Sequence, residues 1–289
     1  DKNGYQLSND KDKVIVNRAD TVVFVRGTPN RDSYLDLVSE LERIGVTCIN
    51  SRTTINICAD KYRSWNQLKD FRLNQPKTVI IPSEEHVDSA LEALDTKFPI
   101  ILKTLRGSKG VGVLFIESER SLHSIVQLLF KQDEDSDILI QEYIKNDFDV
   151  RVLVLGETIL GTMRRDVVEG DFRSNVAQGA KVKKYKLSDE EKNQCLVASK
   201  AVGGDFTAVD FIPNNDKPYF LEVNSSPGTD GIEDANPELN VAREVLEYYK
   251  NKKLRYAVPT AVGFYEKVKI KPFGDMTAKF DTGNGILSV

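Results

Sequence analysis

Two carboxylates and an amide within one short segment are the residues best suited to chemistry. In TAVDFIPNNDKPYFLEVNSSPG, residues 207–228, two apolar runs flank a turn-rich NNDKP. This pattern predicts a β-hairpin with Asp210 opposite Glu222, and alternation of side chains places Asn224 on the same face. Because like charges directly opposite each other repel, we expect a divalent cation between them. All-oxygen donors favour magnesium or manganese.

The same register predicts the rest of the hairpin. Pro213 should lie near Tyr219, and the face away from the acids should enter a core through Val209, Phe211, Leu221 and Val223. The tight turn SSPG then follows Asn224 and would present backbone groups to the same place. The alternative is a solvated hairpin face whose acids are accidental.

A lysine and a glycine-rich segment form a second candidate site. Lys103 ends an apolar run, and RGSKGVG follows at 106–112 with Gly107, Ser108 and Gly110. A loop with few side chains lets backbone N–H groups approach phosphates closely, and a lysine adds positive charge. The segment does not match the Walker sequence, and because it joins strand to strand it is not a dinucleotide turn either. The alternative is an ordinary hairpin turn.

Arginines cluster on or beside a second predicted hairpin, which turns at Gly156-Glu157. They are Arg151, Arg164, Arg165 and Arg173, in a chain that is otherwise acidic. Guanidinium groups bind anions with paired donors, so the cluster indicates anion handling. Adjacent strand residues face opposite ways, and we expect Arg165 to point inward and Arg164 to be a surface charge.

The order of elements predicts a mixed α/β fold. A strand at 21–27, a helix ending at Gly45 and a strand at 46–50 form one βαβ unit. A helix follows near 60–72. Later strands succeed one another as hairpins, which predicts substantial antiparallel sheet rather than a doubly wound fold.

Composition excludes several classes of protein. The 289 residues are 40% hydrophobic and 29% charged, as in a globular chain, and no apolar run approaches the length of a membrane span. Residues 1–250 carry a net charge of −8 and residues 251–289 one of +4. An acidic body argues against nucleic acid as a partner. Three cysteines without a CxxC pair indicate buried thiols and a cytoplasmic setting.

Seven segments in one colinear order carry a family resemblance. They are Asp60-Lys61, PIILKTLRGSKGVGV, IQEYI, DVR, GDFRSN, VDF and LEVNSSPG. Together they resemble the ATP-grasp ligases and, among these, the RimK-type group that joins glutamate or similar amino acids to a carboxylate. The resemblance covers about residues 20–250. Where the family usually continues FRSN with a His-Arg-Gly-Gly-like segment, this chain has VAQGA, which leaves the amino acid substrate open.

The resemblance implies roles for individual residues. The residues expected at ATP are Lys61, Lys103, Gly107, Ser108, Gly110, Glu142, Tyr143, Ile144 and Asp149. Those expected at the transferred phosphate and the acyl phosphate are Arg165, Arg173 and Asn175. The expected ligands of magnesium or manganese are Asp210, Glu222 and Asn224, the same three residues that the hairpin indicates.

The resemblance also implies an architecture and an activity. Two α/β lobes should grip ATP behind a small βαβ domain, with divisions at 1–75, 76–140, 141–250 and 251–289. The expected enzyme is an ADP-forming ligase that uses ATP and two metal ions. It joins a carboxylate, from a peptide terminus or a small acid, to an amino acid amine through an acyl phosphate. No membrane partner is expected, and a homo-oligomer is left open.

The tail provides the main alternatives. Residues 261–289 resemble the opening of retropepsin-like domains, and Asp281-Thr282-Gly283 matches the aspartic protease triplet. Only six residues follow Gly283, too few for a protease lobe. A basic strand or disorder is the plainer interpretation of this segment. The competing functions are a non-catalytic ATP-sensing module and a protease-linked interaction protein.

Overall fold

A computed structural model describes most of the chain. The described residues are 5–8, 13–16, 21–27, 32–105, 112–133, 138–167, 182–214, 217–250, 265–270, 274–280 and 287–288. The chain divides into two compact units, Asp1–Asn251 and Lys252–Val289. None of the helices in the described ranges is long and apolar enough to cross a membrane.

The first unit begins with a small βαβ arrangement, as the sequence predicts. Its elements are a hairpin of β1 (Tyr5–Ser8) and β2 (Lys13–Val16), then β3 (Val22–Phe24), α1 (Asp32–Arg43), β4 (Thr47–Ile49), α2 (Arg52–Ala59) and α3 (Lys61–Asp70). Strands β3 and β4 pair in parallel. Helix α1 turns Leu35, Val38 and Leu41 into a shared core, because residues at this spacing lie on one face.

A four-stranded antiparallel sheet follows. Its elements are β5 (Thr78–Ile81), a 3₁₀ turn (Glu84–His86), α4 (Val87–Leu94), β6 (Ile100–Thr104), β7 (Val113–Ile116), α5 (Glu119–Gln132) and β8 (Ile138–Glu142). The strand order is β5-β8-β6-β7. Both helices pack on this sheet through one core, which holds Leu94, Leu122 and Val126 of the helices against Ile100 and Ile140 of the strands.

A five-stranded antiparallel sheet carries most of the candidate residues. Its elements are β9 (Phe148–Leu155), β10 (Thr158–Asp166), β11 (Val182–Lys183), α6 (Asp189–Ala201), β12 (Phe206–Ile212), β13 (Tyr219–Asn224), α7 (Asp230–Ala235) and α8 (Val241–Lys250). The order is β11-β10-β9-β12-β13. One face packs on α6 through Val152 and Cys195, and the other packs on α7 and α8 through Leu153 and Ile232. Both faces of the sheet are therefore covered by helices.

The second unit is described by its strands alone. Strands β14 (Tyr265–Ile270), β15 (Gly274–Phe280) and β16 (Leu287–Ser288) form a three-stranded antiparallel sheet. The Asp281-Thr282-Gly283 triplet lies outside the described residues. Its resemblance to an aspartic protease therefore stays a prediction.

Candidate functional site

The acid-bearing hairpin forms with the predicted central pair. Asp210 on β12 is the cross-strand partner of Glu222 on β13, and Ala208 is the partner of Asn224. The side chain of Asn224 donates from Nδ2 to Oε1 of Glu222 over 3.1 Å. The three predicted oxygen donors are thus neighbours on one face of one hairpin.

The far end of the hairpin differs from the prediction. A β-bulge between Asp210 and Phe211 shifts the register, so that Ile212 rather than Pro213 pairs with Tyr219. An extra residue in one strand reverses the faces beyond it. Phe220 therefore fills the core, whereas Leu221, which was expected there, is only half-buried. The bulge lies next to Asp210 and leaves its pairing with Glu222 unchanged.

Asp210 is held by arginines on the neighbouring strand pair. Arg151, its cross-strand partner on β9, donates from Nε and one terminal nitrogen to its two oxygens over 2.7 and 2.6 Å. Arg165 on β10 donates to it over 3.1 Å. Burial would raise the pKa of the Asp210 carboxyl, but the charges and hydrogen bonds of the two arginines outweigh it and hold that pKa below its ordinary value.

Arg165 also binds a second carboxylate. Its guanidinium donates to both oxygens of Asp149, its cross-strand partner on β9, over 2.6 and 2.8 Å. Arg165 is buried, whereas Arg164 is partly exposed and pairs with Asp166, as the alternation of faces predicts. Asp149, Arg165, Asp210 and Arg151 thus form an alternating row of charges, in which each buried acid lies against an arginine.

Two lysines lie close to Glu222. Lys61, at the start of α3, donates from Nζ to the carbonyls of Thr104 and Leu105 over 2.9 and 3.2 Å. Asp60 caps α3 by accepting from two backbone N–H groups of its first turn, which fixes the position of Lys61. Lys103 donates from Nζ to Oε1 of Gln141 over 2.7 Å.

The charge of Glu222 acts on both lysines, and the charge of Lys61 acts on Lys103. Burial lowers the pKa of Lys103 to about 8, while the charge of Glu222 raises it and that of Lys61 lowers it. Burial also lowers the pKa of Lys61, again opposed by Glu222. Two half-buried cations therefore lie beside the acid-bearing hairpin. Lysines next to acidic side chains favour a ligand that carries both an anionic group and a bound cation.

Residues 141–144, at the end of β8 and just beyond it, form the next part of the candidate site, beside Lys103. Buried Gln141 donates from Nε2 to Oγ1 of Thr78 over 2.8 Å, while its Oε1 accepts from Lys103. Glu142 accepts from the backbone N–H of Lys77 over 3.2 Å. The ring of Tyr143 meets Phe115 edge-on at 5.0 Å, and Ile144 is half-buried. The hydrogen bond between Lys103 and Gln141 had no signal in the sequence, because it joins residues 38 positions apart on different strands.

Five predicted site residues are not among those that the structure describes. They are Gly107, Ser108 and Gly110 of the glycine-rich segment, and Arg173 and Asn175 between β10 and β11. The first segment lies between the described residues Leu105 and Gly112, and the second lies between Val167 and Val182. Their roles stay predictions.

The donor chemistry of the hairpin fits a hard divalent cation. Two carboxylates and one amide oxygen lie on adjacent strands, and a carboxylate oxygen that already accepts one hydrogen bond keeps a second lone pair for a ligand. Sulfur and imidazole groups, which would favour zinc, are absent from this set. The three residues could therefore hold Mg²⁺ or Mn²⁺.

Comparison with known proteins identifies the fold and the family. A sequence profile of the RimK-like ATP-grasp domain matches residues 58–249. A "Probable alpha-L-glutamate ligase" of Legionella pneumophila (strain Corby) is 33% identical over 218 residues, which cover 75% of this chain and 71% of the relative. The chain belongs to the RimK-like ATP-grasp family. It is an ATP-dependent carboxylate–amine ligase, as the resemblance implies.

Solved structures confirm the mixed α/β ATP-grasp fold. The ATP-grasp ligase PsnB, complexed with a phosphomimetic variant of its minimal precursor, Mg and ADP, superposes with a TM-score of 0.57 at 23% identity, over 75% of this chain and 65% of that one. The macrocyclase MdnC of Microcystis aeruginosa MRC, bound with the precursor peptide MdnA, gives 0.63 at 17% identity, over 86% and 84%. At these identities the likeness concerns the fold alone.

Proposed function

We propose that this RimK-like ligase activates a substrate carboxylate with ATP and joins it to the amino group of an amino acid such as glutamate. The acceptor is a peptide terminus or a small acid. The name alpha-L-glutamate ligase of the relatives supports the amino acid, and the precursor peptides bound to PsnB and MdnC support a peptide acceptor. Both substrates extend the family assignment and have to be tested on this chain.

The observation that carries the proposal is the placement of Glu222. It lies opposite Asp210 on one side and is electrostatically coupled to Lys61 and Lys103 on the other. Oxygen donors for a dication and cations for an anion thus share one place. A metal-bound triphosphate brings both charges at once, and few other ligands do.

ATP would lie between the sheets, with its phosphates at the lysines. Lys61 and Lys103 bind the phosphates together with backbone groups of Gly107, Ser108 and Gly110. The segment Glu142 to Ile144 meets the adenine, and Asp149 lies near the ribose. Two described contacts support this placement. Gln141 holds Lys103 where the phosphates would bind, and Phe115 packs against Tyr143 where the adenine would bind.

We assign the metal to Asp210, Glu222 and Asn224, as two ions of Mg²⁺ or Mn²⁺. Bound there, the metal supplies positive charge to the phosphate oxygens during transfer. Arg151 and Arg165 keep Asp210 ionised and fix its orientation, so the site need not reorganise when it is filled. This ion-pair role of Arg165 adds to its proposed role at the transferred phosphate.

The reaction then proceeds in two displacements. An oxygen of the substrate carboxylate attacks the γ-phosphorus of ATP, ADP leaves and an acyl phosphate forms. The amine nitrogen attacks the acyl carbon, loses a proton and expels phosphate. Arg165, Arg173 and Asn175 stabilise the negative charge of the transferred group, and the glycine-rich segment excludes water that would hydrolyse the acyl phosphate.

Release of ADP tests the proposal. Amino acids, with glutamate first, are assayed in pairs with peptides and small acids, and ADP is measured with and without Mg²⁺. We expect release above background only when both substrates and metal are present. Absence of such release for every pair would instead indicate an ATP-sensing module without turnover.

A variant of Glu222 tests whether turnover depends on the proposed metal site. Glu222→Gln keeps the size of the side chain and should lower turnover by about 100-fold, the usual loss when a group that stabilises developing charge is removed. Glu157→Gln makes the same change in the exposed β9–β10 turn and should leave turnover unchanged. Equal rates for the two variants would contradict the assignment of Glu222.

A further inference from the structure

The side chain of Asn50, at the end of β4, uses every hydrogen-bonding position that it has. Its Nδ2 donates to the carbonyls of Phe206 and Ser225, each over 2.7 Å. Its Oδ1 accepts from the backbone N–H groups of Asp205 and Phe206 over 2.8 and 3.0 Å. The residue is 1% exposed. A buried amide that donates two hydrogen bonds and accepts two has no unpaired polar atom and is held in one orientation.

Asn50 lies where the β12–β13 ladder stops. The last cross-strand pair at this end joins Ala208 to Asn224, so Phe206 and Ser225 lie just beyond it. There the side chain of Asn50 binds backbone groups of both strands, as a peptide group of an inserted strand would. The residue that follows Asn224 is therefore fixed by a bond from the N-terminal βαβ arrangement rather than by its own hairpin.

Two further hydrogen bonds come from the same arrangement. Arg26, shortly after β3, donates to the carbonyl of Pro227 over 2.8 Å, and the backbone N–H of Gly27 donates to Oγ of Ser226 over 2.9 Å. Together with Asn50, they bind each residue of the turn 225–227. A turn held at three consecutive residues has little freedom to shift the strand that leads into it.

We propose that Asn50 is a positioning residue for the metal site, an inference that rests on the proposed function. By anchoring Ser225, it fixes Asn224, and the bond from Asn224 to Glu222 carries that constraint to the carboxylate opposite Asp210. The N-terminal βαβ arrangement thereby sets the geometry of metal ligands that belong to another sheet. Partners that orient ligands typically change metal affinity by about 10 to 100-fold.

The chain offers a matched control for a merely structural role. Asn236 is 2% exposed, and its Nδ2 donates to the carbonyls of Thr162 and Ile232 over 2.9 and 2.8 Å. It is a buried asparagine that joins backbone segments on the α7 side of the five-stranded sheet. Asn236→Ala and Asn50→Ala therefore remove the same kind of group, and only Asn50 contacts the turn after Asn224.

The experiment measures Mn²⁺ binding to the full chain with saturating ADP, by the electron paramagnetic resonance signal of free Mn²⁺. We expect Asn50→Ala to weaken Mn²⁺ binding about tenfold or more. Asn236→Ala should remain within about twofold of the wild type. Equal affinities for Asn50→Ala and the wild type would overturn the inference and leave the proposed function standing. Failure of the wild type to bind Mn²⁺ would overturn the metal site itself, and the inference with it.

A milder variant decides the question if Asn50→Ala does not fold. Ser226→Ala removes only the bond from Gly27, at a half-buried position, and changes no charge. We expect it to weaken Mn²⁺ binding about threefold, with the thermal unfolding temperature unchanged, since one of three anchors of the turn is lost. An affinity equal to that of the wild type in this folded variant would overturn the inference.

Discussion

Asp210 illustrates why a residue's partners decide which substitution is informative. Its carboxylate is buried and bound by two guanidinium groups, so a neutral replacement leaves Arg151 and Arg165 without their counter-ion. Removing one partner of a buried ion pair costs about 3 to 5 kcal/mol. Loss of activity in Asp210→Asn would therefore mix unfolding with chemistry. Half-buried Glu222 has no such pair among the described residues, and it is the better probe of the site.

Lys103 should make ATP binding depend on pH. Its pKa is lowered to about 8, so the free protein loses this cation as the pH rises above that value. We expect the dissociation constant for ATP, measured by calorimetry, to rise by up to about tenfold per pH unit from about 8 to 10, because only the protonated form attracts the phosphates. The folded chain loses this proton before the unfolded chain does, so Lys103 also makes the free energy of unfolding rise across that window.

Lys103→Arg provides the control for the pH dependence, because a guanidinium stays charged throughout this range. The variant should show a smaller increase of the dissociation constant between pH 8 and 10 than the wild type. A residual increase would reflect Lys61, whose pKa is also lowered by burial. Identical pH profiles for the wild type and the variant would mean that another group causes the dependence.

At the level of elements, local patterns predicted the hairpins and nonlocal pairing determined the rest. The β9–β10 turn at Gly156 and the Asp210–Glu222 register followed from turn residues and alternating side chains. The bulge after Asp210 had no sequence signal, because either of two apolar neighbours, Phe220 or Leu221, could have filled the core. The pairing of β9 with β12, which brings Arg151 to Asp210, joins residues 59 positions apart and left no local pattern.

The glycine that ends the glycine-rich segment is required by its backbone and by its neighbour. Gly112 has φ of +81°, and a Cβ built there would lie 2.2 Å from Oγ1 of Thr104. Its carbonyl accepts from the N–H of Thr104 over 2.9 Å, at the end of the strand that carries Lys103. Gly112→Ala should therefore lower the free energy of unfolding by about 1 to 3 kcal/mol, measured in urea.

Gly228 provides the comparison for this substitution. A Cβ built on Gly228 would meet nothing within 4 Å, and its φ is outside the left-handed region. Gly228→Ala should therefore leave the free energy of unfolding within about 1 kcal/mol of the wild type or raise it slightly. If both variants lost the same free energy of unfolding, neither the backbone angle of Gly112 nor its contact with Thr104 would explain the effect of Gly112→Ala.

At the scale of the whole molecule, charge and family match divide the chain at nearly the same place. The RimK-like match ends at residue 249, the first compact unit ends at Asn251, and the net charge changes from −8 over 1–250 to +4 over 251–289. Charge asymmetry in the sequence indicated a separate tail, and the structure places a small sheet there. The finer boundaries at 75 and 140 stay predictions.

Removal of residues 252–289 tests which unit carries the activity. Every described candidate residue, from Lys61 to Asn224, belongs to the first unit, and the core clusters that hold their strands consist of residues from that unit as well. The shortened chain should therefore keep kcat/KM for ATP within about threefold of the full chain and unfold at a similar temperature. Activity assays and circular dichroism measure the two quantities. If the shortened chain folded normally but lost its turnover, the interpretation of the second unit as dispensable for ligation would be wrong, and a function linked to the tail would gain support.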